Sequence, residues 1–76
     1  MRMETAARQR LGVIGAGAMG AGIAEAAAAR GIPVVLTDAR PGAASEAIAR
    51  IRAGAAKRRD NGKLTDEQYA VLAGAL

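Results

Sequence analysis

The 76-residue sequence has no cysteine, histidine, phenylalanine or tryptophan, and only one tyrosine and two prolines. Without cysteine there is no disulfide framework, no thiol nucleophile and no thiolate metal site. Without histidine there is no imidazole base and no Ser-His-Asp arrangement. The three Asp and four Glu are scattered, so no carboxylate cluster with metal-ligand spacing arises. One tyrosine is too few for a base-stacking platform on single-stranded nucleic acid. No apolar run approaches the roughly 20 residues that cross a bilayer, and no membrane partner is expected. The opening Met1-Arg2-Met3-Glu4-Thr5 lacks the apolar core of an export signal, so a cytoplasmic location is the expectation.

Large apolar side chains are also scarce. The apolar set makes up 51% of the chain, but 21 of its members are Ala and only 18 are larger. A chain this short buries a small share of its surface even with a good core. At most one domain is expected, and an incomplete one is allowed.

The net charge is +4 and unevenly placed. The excess sits in Arg50, Arg52, Lys57, Arg58, Arg59 and Lys63, whereas residues 64–76 carry two acids and no bases. Such a run can attract polyanions, but a solvated helix face is the plainer reading and a nucleic-acid partner is not expected.

Residues 1–9 are polar and aperiodic and read as a loose, flexible N-terminal arm. Leu11-Gly12-Val13-Ile14 is a short apolar run consistent with a buried strand. Ala18 to Arg30 is nearly all Ala, the strongest helix former, and Gly31 follows as its expected stop. Val34-Val35-Leu36-Thr37 is β-branched and unbroken, the pattern of a parallel strand covered on both faces. After the Arg40-Pro41-Gly42 turn, Ala44, Ile48, Ile51 and Ala55 form one helical stripe, with Glu46 and Arg50 as an i,i+4 pair. Asn61-Gly62 ends that helix. Thr65 and Gln68 then form a capping box for a last helix with Tyr69, Leu72 and Leu76 on its apolar face. The order strand–helix–strand–helix–helix is an α/β fold. It is a partial Rossmann arrangement, a βαβ unit followed by two helices, with an incomplete parallel sheet.

The junction of the first strand and first helix reads Gly15-Ala16-Gly17-Ala18-Met19-Gly20, a G-x-G-x-x-G motif. Each glycine has a task in such a turn. Gly15 turns the chain sharply, Gly17 lets a pyrophosphate approach the backbone, and Gly20 lets the helix pack closely on the strand. The helix N-terminus then faces the phosphates with free N–H groups and a positive dipole end. The motif alone is a weak signal, and a glycine-tolerant turn that binds nothing would look the same. Its position between strand and helix strengthens it, as does Asp38, 18 residues past Gly20 at the end of the next strand. A carboxylate there accepts the hydroxyls of the adenosine ribose and repels a 2′-phosphate, favouring NAD over NADP. Arg40, two residues on, is the alternative partner, able to hold that phosphate.

Val13 to Ala24, with its Met19-Gly20-Ala21-Gly22-Ile23-Ala24 extension, resembles the start of 3-hydroxyacyl-CoA dehydrogenases. The resemblance continues through Gly31 to Arg40, the helix with Ile48 and Ile51, and Gly62-Lys63-Leu64-Thr65, covering residues 10–76. The β-hydroxyacid dehydrogenases of the 6-phosphogluconate type are the nearest competitor. The resemblance implies NAD as cofactor and hydride transfer to it from C3 of an (S)-3-hydroxyacyl-CoA, in fatty-acid or related acyl-CoA oxidation. It implies that Gly15, Ala16, Gly17, Ala18, Met19 and Gly20 hold the pyrophosphate and Asp38 the ribose. It further implies acyl-CoA as substrate partner and a homo-oligomer for the intact enzyme. Family positions near the CoA phosphate, a Ser and a Lys in some members, are Gly54 and Asn61 here, so that contact does not carry over; Lys57, Arg58 and Arg59 are the possible electrostatic substitutes. The family's catalytic His and Glu lie beyond the matched stretch. The expectation is therefore an N-terminal part of a dinucleotide-binding domain over 10–76, without the C-terminal helical domain and without catalytic residues of its own. The reading from another class is a non-enzymatic module that completes its sheet against a partner.

Overall fold

The computed structural model describes residues 2–6 and 10–76. Six elements follow in order: β1 (Arg2–Ala6), β2 (Arg10–Ile14), α1 (Ala18–Ala29), β3 (Val34–Thr37), α2 (Ala43–Asp60) and α3 (Asp66–Ala75). The expected strand–helix–strand–helix–helix order holds from β2 onward. The loose arm expected over residues 1–9 does not describe residues 2–6. Their backbone pairs antiparallel with β2, Arg2 opposite Ile14 and Ala6 opposite Arg10. An edge strand needs only one hydrogen-bonded neighbour, so it can form without the apolar run that marks a central strand. The rest of that arm, residues 1 and 7–9, lies outside the described residues. The sheet is thus mixed, in the order β1-β2-β3, with β2 and β3 parallel and Val13 opposite Leu36.

A second expectation is corrected at β3. Val34 and Leu36 are buried, while Val35 and Thr37 are exposed. Among the described residues the cover lies on one face of the sheet: α1 and α2 pack on the face that carries Val13, Val34 and Leu36, and α3 packs in turn on α1 and α2. A βαβ crossover followed by a second helix places its cover on one side; a parallel sheet needs further elements to cover the other.

Alanine sets the spacing of this core. Ala24, Ala28, Ala47 and Ala55 are fully buried. With methyl groups at the contacts, the helices meet each other and the sheet closely, around the few large side chains Val13, Leu36, Ile51 and Leu72. The expected stripe on α2 is centred on Ala47, Ile51 and Ala55, with Ala44 and Ile48 half-buried beside it.

The helix ends follow local rules. After α1, Gly31 has φ +77°; its N–H donates to Ala28 and the N–H of Ile32 to Ala27. After α2, Gly62 has φ +78°, with matching bonds from Gly62 to Arg59 and from Lys63 to Arg58. Both are Schellman caps, which require a residue at ease in the left-handed region. At the start of α3, Thr65 Oγ1 accepts from the Gln68 N–H at 3.0 Å and Gln68 Oε1 accepts from the Thr65 N–H at 2.8 Å, the reciprocal capping box.

Candidate functional site

The glycine turn begins where β2 stops. Gly15 has φ +108°, a backbone region that a side chain would strain. Its N–H donates to the Thr37 carbonyl at 2.8 Å, carrying the β2–β3 ladder one residue into the turn. The next N–H, that of Ala16, donates to Asp38 Oδ2 at 2.6 Å. Two consecutive amides thus tie the turn to the end of β3. This link spans 22 residues of sequence, and Ala16 itself is buried.

Gly17 is the N-cap of α1, with φ −66° and ψ −179°. These angles are open to any residue, so its demand for glycine is not conformational. A Cβ built there meets nothing within 4 Å, so the space beside it is open to a ligand. No side chain caps α1 and its first turn holds no acid. The first N–H groups of a helix have no intrahelical partner; here no side chain caps them, and the positive end of the dipole lies behind them. Ala18 and Met19 are exposed, Met19 to 70%.

At Gly20 the close approach of α1 to the end of β2 is mainly to backbone. A Cβ there would lie 1.8 Å from the Gly15 carbonyl oxygen, while the nearest strand side-chain atom, Val13 Cγ1, would be 3.5 Å away. The third glycine makes room chiefly for the carbonyl of the first, and only secondarily for the strand.

Asp38 and Arg40, weighed as alternatives from sequence, form one unit. Arg40 Nε donates to Asp38 Oδ1 at 3.0 Å and Nη2 to Oδ2 at 3.1 Å. The backbone N–H of Arg40 also donates to Oδ1, at 2.8 Å. These bonds hold the Asp38 carboxyl well below the usual carboxylate range. The Arg40 guanidinium is the largest cause, and the Ala16 N–H is next; the same pairing raises the guanidinium of Arg40. A carboxylate whose folded value is depressed stabilises the fold above its unfolded value and loses that contribution as pH falls. The melting temperature of wild type minus that of Asp38→Asn should therefore stay constant above the ordinary Asp value of 3.8 and shrink as pH falls below it. A difference that instead grows in acid would reverse the assignment.

The basic run on α2 is partly committed inside the chain. Arg58 Nη2 pairs with Glu25 Oε2 at 2.8 Å, joining α2 to α1. The Arg59 guanidinium lies 4.2 Å from the centre of the Tyr69 ring, joining α2 to α3, and Arg52 Nη2 donates to the Ala73 carbonyl at 3.3 Å. Of the trio offered as electrostatic substitutes at an acyl-CoA phosphate, Arg58 and Arg59 thus brace helices. The expected Glu46–Arg50 pair does not form. Among the described residues there is no group of three or more metal-ligating side chains and no helix long and apolar enough to cross a membrane.

The structure therefore brings Gly15, Ala16, Asp38 and Arg40 together, with Gly17 open beside them and Ala18, Met19 and Gly20 opening the helix. A turn with uncapped helix amides, an unobstructed glycine and a carboxylate at the next strand end suits a diphosphate joined to a ribose. The contact that sequence reasoning missed is the one from Ala16 to Asp38, since no local pattern marks it. No curated protein matches the chain significantly. A family model described as "3-hydroxyacyl-CoA dehydrogenase, NAD binding domain" matches residues 10–76. With its glycine turn, its β2–α1–β3 unit and nearly its whole length inside that match, the chain belongs to this family of NAD-binding domains, and its cofactor is NAD.

Proposed function

We propose that the chain holds the ADP half of NAD for a dehydrogenase acting on (S)-3-hydroxyacyl-CoA thioesters. The uncapped amides from Gly17 to Gly20 receive the pyrophosphate, and Asp38 receives the ribose hydroxyls. Gly15 and Ala16 act indirectly, by fixing the turn to the end of β3. When bound, NAD supplies the hydride acceptor. We assign no residue of this chain to removing the proton from a 3-hydroxyl. The observation that carries the reading is the open space at Gly17 beside a turn tied to Asp38 by the Ala16 amide.

The test is calorimetric titration of NAD into the wild-type chain and into Gly17→Ser. Serine is a favoured N-cap and its Cβ would meet nothing within 4 Å here, so melting should be unchanged or slightly raised. Its hydroxyl would take up the first-turn amides and its Cβ the phosphate's space. Affinity for NAD should fall at least tenfold. Equal binding by both proteins would remove the pyrophosphate from this turn.

A second reading, a module completed by a partner, draws on the bare sheet face, where Ile14 and Val35 are exposed. A cooperative melt whose midpoint is independent of concentration would remove it.

A further inference from the structure

The acceptor capacity of Asp38 is already filled. An ionised carboxylate offers about four lone-pair sites. Here Oδ1 takes the Arg40 N–H at 2.8 Å and Arg40 Nε at 3.0 Å, while Oδ2 takes the Ala16 N–H at 2.6 Å and Arg40 Nη2 at 3.1 Å. A ribose diol needs two of those sites. The two backbone donors belong to the turn and the strand end and cannot leave without opening both. The two side-chain donors can leave. The Asp38 side chain is 9% exposed, but that of Arg40 is 68% exposed and hangs on a flexible stem.

We propose that Arg40 is a specificity-determining latch: its guanidinium occupies the ribose positions on Asp38, and NAD enters by exchanging its two hydroxyls for Nε and Nη2. The proposal rests on the cofactor-site reading above. The exchange is two donors for two donors, so the carboxylate stays saturated throughout. An exposed ion pair is worth little, so the latch is displaceable rather than inhibitory. The same geometry gives selectivity. While Asp38 is charged, it repels a 2′-phosphate and keeps the guanidinium neutralised. Once that charge is removed, the planar fork of Arg40 faces the position of the ribose 2′-oxygen with two donors, the geometry that suits a phosphate.

The test titrates NAD and NADP separately into the full chain as wild type, Arg40→Gln, Asp38→Ser and the Asp38→Ser/Arg40→Gln double variant. Arg40→Gln keeps the Ala16 anchor and so keeps the fold. It should bind NAD about 1.5- to 5-fold tighter, the range of an exposed ion pair that no longer has to be broken. Asp38→Ser should bind NADP at least tenfold tighter than wild type does, and the double variant should lose that gain. The latch is overturned if wild type binds NAD and Arg40→Gln binds it equally or more weakly. The same holds if the NADP gain of Asp38→Ser survives in the double variant. If Asp38→Ser fails to fold, the Arg40→Gln comparison decides alone. Failure of the wild-type chain to bind NAD at all would instead overturn the underlying cofactor-site reading.

Discussion

Gly20→Ala should unfold the chain or cost it about 3 kcal/mol or more, the upper end of what overpacking does. The added methyl would sit 1.8 Å from the Gly15 carbonyl oxygen. The obstacle is backbone, not the end of a side chain that can swing away. That carbonyl cannot retreat easily, because the Gly15 and Ala16 amides on either side of it are bonded to Thr37 and Asp38. Relief therefore means lifting α1 from β2 or tearing the turn from β3. A small domain is typically stable by only about 5–15 kcal/mol, so the loss takes much of the total. Gly22→Ala is the control. It lies in the same helix, meets nothing within 4 Å and should gain about 0.5–1 kcal/mol from the helix interior alone. Thermal and urea melts followed by circular dichroism would read both. A Gly20→Ala chain as stable as wild type would show that the turn does not pack as described.

Leu72→Ala should cost about 2–5 kcal/mol, the range for emptying a buried leucine site. Leu72 is 2% exposed and is, with Val13, one of the largest fully buried side chains. It enters the core from α3, which packs on both α1 and α2. The buried core that it joins is mostly alanine, with little side-chain reach to fill a gap, and this favours the high end of the range. Val71→Ala, next to it but 48% exposed, should cost well under half as much. Comparing the two urea midpoints, at equal slope, gives the difference directly. A loss at Leu72 no greater than at Val71 would mean that α3 is not part of the cooperative core.

Both predictions turn on partners that lie far apart in sequence, and this divides what was legible from what was not. The composition alone excluded thiol, imidazole and clustered-carboxylate chemistry. The glycine spacing placed the turn between a strand and a helix. Gly31 and Gly62 marked helix ends, and Thr65 with Gln68 marked a helix start, because such signals act within one turn of backbone. Asp38 was legible as a strand-end acid for the same local reason.

Tertiary structure decided the rest. Only folding brings Ala16 to Asp38 and Glu25 to Arg58, contacts across 22 and 33 residues. Only the packed turn shows that Gly20 yields space to the Gly15 carbonyl. The strand at Arg2–Ala6 has no apolar run to announce it, and its formation depends on the hydrogen-bonding edge of β2. Val35 reads as a buried residue until α1 and α2 are seen on the opposite face. Even the relation of Asp38 to Arg40, two residues apart, was open: sequence places both near one ribose, but the extended chain does not say whether they compete for a ligand or bind each other. That depends on the direction in which the Asp38 carboxylate is held, and the amide of Ala16 holds it.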